Sequence, residues 1–131
     1  MEYEKKTMLE TFVRMDDIEC LFAGLILDYQ INESFKYTSL DTTDINRVHA
    51  MIDEYIIPQF HCLNDTQKEW LKASLSYFML IEPDRLLRLN HDGYLPFDIP
   101  SNPYGFFEMI WYKIFPHEVP KSNPSLVQVI R

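Results

Sequence analysis

From Met8 to Tyr29 the apolar residues Met8, Phe12, Met15, Ile18, Phe22, Leu25, Ile26 and Tyr29 return every three or four positions. Such spacing falls on one face only in a helix, where 3.6 residues make a turn. The pattern predicts a first helix over residues 7–29, with Thr7 and Glu10 spaced as a capping box. Residues 18–27 are apolar nearly all round, so this helix is expected to be central and touched from several sides. Gly24 would weaken an exposed helix by about 1 kcal/mol relative to Ala. In a central helix it would instead admit a close neighbour.

The same spacing recurs between prolines. Asp41-Thr42-Thr43-Asp44 reads as a helix start, with Ile45, Val48, Ile52, Tyr55 and Ile56 as the stripe and Pro58 as the stop near Ile57. A third helix opens at Asn64-Asp65-Thr66, buries Trp70, Leu71, Leu75, Phe78 and Met79, and ends before Pro83. Residues 84–89 form a short helix, stopped by Asn90-His91-Asp92-Gly93. Residues 94–101 form an ordered, extended loop held by Tyr94, Leu95, Phe97 and Ile99. Asn102-Pro103 begins a last helix to about Phe115, its apolar side Phe106, Phe107, Ile110, Trp111 and Ile114. Prolines break residues 116–131 into an extended or frayed tail, and Leu126-Val127-Gln128-Val129-Ile130 alternates too little to read as a strand. Only three glycines occur, fewer than the turns of a sheet domain usually require. The expected fold is all-α: a single domain over residues 1–131, an irregular antiparallel bundle of about five helices with a long central first helix.

At 131 residues and 47% hydrophobic, the chain can close one core without staples. Met1-Glu2-Tyr3-Glu4-Lys5-Lys6 lacks the basic-then-apolar order of a secretion signal. The longest apolar run, residues 21–27, is too short to span a bilayer. A cytoplasmic protein with no membrane partner is expected, and the glycosylation-like Asn32-Glu33-Ser34 and Asn64-Asp65-Thr66 count as chance. Cys20 and Cys62, both in apolar surroundings, are expected to be reduced, buried thiols, although a disulfide between them is compatible with the sequence.

The net charge of −8 is unevenly placed. Residues 1–65 hold thirteen acids against five bases, whereas residues 66–131 hold seven of each. Nucleic acid is therefore a poor partner, since phosphates need cationic groups. A basic protein fits better, with plain solubility as the bland alternative. Asp16, Asp17, Glu19, Asp28 and Glu33 belong to the first helix and its exit. Asp41, Asp44, Asp53 and Glu54 belong to the second helix and its entry. Antiparallel packing would gather some of them on one surface. Most of the aromatic-rich segment 104–115 reads as core, with Tyr104 and Tyr112 expected outside as further partner-binding residues.

The chain lacks the residue sets of catalysis. No Gly-x-Ser-x-Gly turn or glycine-rich phosphate loop occurs, and neither cysteine has a basic neighbourhood that would activate it. His49 and Asp53 lie one turn apart with Glu54 beside them, the weak alternative of a small metal-dependent enzyme. A catalytic zinc takes three protein ligands and a structural one four. His61-Cys62, His91-Asp92 and His117-Glu118 are isolated pairs. No enzyme activity, metal or cofactor is expected.

A short, acidic, cysteine-poor helical chain without a catalytic set resembles, in overall character, the bacterial immunity proteins made against contact-dependent growth inhibition toxins. That resemblance implies binding a cognate toxin domain, often a basic nuclease, and blocking its active site. It carries over no individual residue. Phage anti-defence proteins and other acidic adaptors share the profile and are the alternative.

Overall fold

The computed structural model describes residues 11–130. Thr11–Val13 form a strand, β1, where helix was expected. It pairs in parallel with β2, Val127–Val129, in the register Thr11↔Val127, Phe12↔Gln128, Val13↔Val129. β-Branched and aromatic side chains suit this pairing, and a partner segment from far along the chain overrides the helical spacing that includes Phe12. Three residues are also too few for alternation to be read from β2 itself. The all-α expectation is thereby corrected: the described chain is mostly helical with one two-stranded parallel sheet. The Thr7–Glu10 capping box lies outside the described residues.

Arg14 is extended, at φ −146° and ψ 142°, and the helix starts only after it. α1, Met15–Glu19, runs through a 3₁₀ turn, Cys20–Phe22, into α2, Ala23–Ile31. Ile18, Leu21, Phe22 and Leu25 are buried, while Ala23, Leu27 and Ile31 are exposed. This segment touches the core by one face, so it is not the central helix. Its apolar excess faces solvent.

α3, Ile45–Met51, is capped by Asp44, whose carboxylate accepts from Arg47 N at 3.3 Å. A π turn, Ile52–Ile56, carries it into α4, Ile57–His61, straight across Pro58. The wider turn makes room for the ring, and the missing N–H falls in the first turn of α4, where a donor is dispensable. That is why the helix passes the stop read from sequence.

The longest described helix is α5, Asp65–Leu80. A complete capping box starts it: Gln67 N donates to Asn64 Oδ1 at 2.8 Å and Asn64 N to Gln67 Oε1 at 2.9 Å. Leu71 and every residue from Ser74 to Met79 are buried, so α5 takes the central place, against β1 and α1. The serines are tolerated there because their hydroxyls are satisfied, Ser76 by Lys72 O at 2.8 Å. Trp70, expected in the buried face, is 41% exposed.

A run of 3₁₀ turns, Pro83–Gly93, replaces the short helix and its stop. Asn90 then fastens the following loop from both sides, accepting from Ile99 N at 2.7 Å and donating to Ile99 O at 3.0 Å. Leu95, Phe97 and Ile99 are buried, as expected of the loop. α6, Tyr104–Ile114, buries Phe106, Phe107, Ile110, Trp111 and Ile114. The chain after it is neither frayed nor extended throughout: Trp111 Nε1 donates to Glu118 O at 2.8 Å, and a 3₁₀ turn, Pro124–Leu126, precedes β2. Among the described residues no helix is long and apolar enough to cross a membrane.

Candidate protein-binding surface

The head of α1 sits on α5 through a closed set of polar contacts. Arg14 N donates to Ser74 Oγ at 3.0 Å, Ser74 Oγ donates to Asp17 Oδ2 at 3.0 Å, and Arg14 Nη2 donates to Asp17 Oδ1 at 3.1 Å. The guanidinium also lies over the Trp70 ring, 5.5 Å from its centroid. Asp17 is thereby consumed: its carboxylate joins α1 to α5. Beside it opens a cleft of about 220 Å³ lined by Arg14, Asp16, Asp17, Cys20 and Trp70.

Asp16 and Glu19 stand three residues apart at this place, and among the described residues neither has an ion-pair partner. Glu19 and two neighbouring groups are shifted by burial and by the negative charge gathered here. Burial raises the Glu19 carboxyl above its ordinary range, and the charge of Asp16 adds to the effect. Burial also raises the Cys20 thiol, followed by the charges of Asp17, Asp16 and Glu19. Tyr94, whose hydroxyl donates to Glu19 O at 3.1 Å, is pushed up to about 12, first by burial and then by Glu19. In all three burial is the larger cause and the neighbouring acids add to it.

The other acids expected to form the surface are mostly neutralised or used locally. Asp28 accepts from the Tyr55 hydroxyl, whose own ionisation is strongly disfavoured by burial and then by that bond. Glu54 meets Lys36 at 2.7 Å and Asp53 meets Lys113 at 3.0 Å. Asp41 accepts from Thr43 N at 2.9 Å and Thr43 Oγ1 at 2.6 Å, which holds its carboxyl below the usual range. Asp44 caps α3. Glu33 is exposed beyond α2, without an ion pair among the described residues. The structure brings Asp28 and Glu54 near each other, yet a lysine already holds Glu54.

Tyr112 is exposed and Tyr104 half-buried. Tyr112 lines a separate groove of about 270 Å³ with His49, Glu108, Met109 and Lys113. His49 therefore faces α6, while Asp53 and Glu54 turn to lysines. Among the described residues no three His, Cys, Asp or Glu side chains come together to hold a metal ion. Both thiols are free and exposed, a correction to the buried pair expected from their apolar neighbours in sequence. Cys20 lies on the outer side of a helix that buries only one face.

Sequence reasoning missed Arg14, Ser74, Cys20 and Trp70. Trp70 falls on the right helical period for burial, yet it lies at the surface with the Arg14 guanidinium over its ring. Comparison of the chain with protein-family models, with curated proteins and with solved structures returned no match.

Proposed function

We propose that this protein is a binding inhibitor of the immunity type, acting in the cytoplasm. It neutralises a basic toxin domain by covering it with the carboxylates at the head of α1. The observation that carries this reading is the charge of Asp16 and Glu19, without an ion-pair partner among the described residues, with Asp16 lining a cleft that also holds the exposed Trp70. Like charges at three-residue spacing cost a helix stability, by roughly 0.2–0.5 kcal/mol per pair. Asp16 recovers part of that through the helix dipole. Stability given up at one surface spot, next to an aromatic of the kind that anchors interfaces, fits selection for a partner rather than for the fold.

The partner's Lys or Arg side chains would enter between Asp16 and Glu19, with Trp70 and the cleft taking the adjoining apolar surface. Long-range attraction of this kind acts mainly on association rate.

The test is association kinetics with the toxin encoded beside this protein. Asp16→Lys combined with Glu19→Lys should slow association by about tenfold or more at low salt, within the range of electrostatic steering. The wild-type rate should fall as salt rises. Rates that ignore both the substitutions and the salt, or a gene neighbourhood without a toxin, would refute the reading.

A further inference from the structure

Resting on the inhibitor reading above, we infer that the acidic head is one end of a longer docking ridge along α1 and α2, and that its occupant is a basic amphipathic helix of the partner. Asp16, Cys20, Ala23, Leu27 and Ile31 follow one another at three- and four-residue steps, with Glu19 beside Cys20, on the side opposite Ile18, Leu21, Phe22 and Leu25. Cys20 and Ala23 are exposed while Leu21 and Phe22 are buried, so the same face is kept across the 3₁₀ turn between the two helices. Leu27 is 57% exposed and Ile31 72%, one turn apart on the same line. Over residues 16–31 the ridge is about 22 Å long at helical rise.

The charge pattern selects the occupant. No charged residue occurs from Cys20 to Leu27, and Asp28 is turned to Tyr55. The ridge is thus acidic at one end and apolar at the other. A second copy packed antiparallel would set each acidic head beside the other's Ile31 and desolvate it without a counter-charge. An anionic membrane surface would repel the same head. A helix carrying Lys or Arg at one end and an apolar stripe at the other satisfies both halves. Ala23, small and midway, lets the partner's backbone come close.

The probe is a synthetic 18-residue helical peptide with leucines at three- and four-residue spacing over one half and three lysines on the same face of the other. Its affinity is read by fluorescence anisotropy, and the site by the rate at which Cys20 of the Cys62→Ser protein reacts with a disulfide reagent. This peptide should bind the protein and slow Cys20 labelling at least tenfold at saturation. Leu27→Gln and Ile31→Gln, both at exposed positions, should each weaken binding by about tenfold, the loss expected when a large apolar contact is removed. A scrambled peptide of the same composition should also bind about tenfold more weakly.

If Asp16→Lys with Glu19→Lys weakens binding while Leu27→Gln and Ile31→Gln do not, the ridge is refuted and the acidic inhibitor reading stands. If the glutamine variants matter and the charge reversal does not, the basic occupant is refuted together with that reading. Self-association of the protein alone that is lost in Ile31→Gln would assign the ridge to a second copy and overturn the inference.

Discussion

Ser74→Ala tests whether the contact that seats α1 on α5 is as important as its geometry implies. Ser74 is fully buried and its hydroxyl does two things: it accepts from Arg14 N and donates to Asp17 Oδ2, both at 3.0 Å. Loss of a neutral hydrogen bond costs about 0.5–1.5 kcal/mol, and of one to a charged group about 1.5–3 kcal/mol. Alanine favours the helix interior over serine by about 0.5 kcal/mol, which offsets part of this. The net expectation is a destabilisation of about 2–3 kcal/mol. At this chain length each kcal/mol lowers Tm by about 4 °C, so Tm should fall by about 8–12 °C. Urea unfolding followed by circular dichroism gives the free energy, with the slope expected to be unchanged. A double-mutant cycle with Asp17→Asn should show coupling of about 1 kcal/mol or more, because the two side chains share one network. A Ser74→Ala variant within about 0.5 kcal/mol of wild type would show that the network is not a determinant of stability and that α1 is held by its apolar face alone.

Glu19→Gln should stabilise the protein near pH 7 by about 0.3–0.5 kcal/mol, since it removes a like-charge pair at a solvent edge. The raised Glu19 carboxyl costs stability while ionised and returns it as pH falls through the raised value toward the ordinary 4.5, so the variant's advantage should vanish in acid; stability curves at several pH values decide this. Cys20, though exposed, should alkylate more slowly at pH 7 than a small free thiol, because burial and three nearby acids disfavour the thiolate; mass spectrometry of a timed iodoacetamide reaction reads it. Asn64→Ala should cost about 1 kcal/mol by opening the capping box of α5. Ser39, at φ +57°, is in left-handed backbone, so Ser39→Gly should stabilise by about 0.5–1 kcal/mol in the same unfolding assay.

The helices were legible wherever one element decides its own structure. Asn64 with Gln67, Asp44 at the head of α3, and the stripe from Phe106 to Ile114 depend on neighbours within a turn or two. What escaped was set by contacts far along the chain. β1 carries helical spacing but pairs with Val127–Val129 and packs on α5, both far along the chain. Trp70 has a core period but lies at the surface under Arg14. Pro58 is a breaker on local grounds, yet the π turn before it lets the helix through. The charge excess of the first half is read directly from the sequence. Which acids lack a partner was not readable, since Lys113 and Lys36 reach Asp53 and Glu54 from 60 and 18 residues away.

The β1–β2 ladder carries a consequence for the order of folding. Thr11 and Val127 are paired although more than a hundred residues separate them. Closing so long a loop before the helices have condensed carries a large entropic cost with only three residue pairs to offset it. The ladder should therefore form last on folding and open first on unfolding. During synthesis β1 must wait for nearly the whole described chain, and until β2 arrives its edge is free to pair with other strands. Hydrogen exchange should find the Ile130 amide, which donates to Val13 O at 2.9 Å, among the fastest-exchanging of the protected amides, ahead of those of α5.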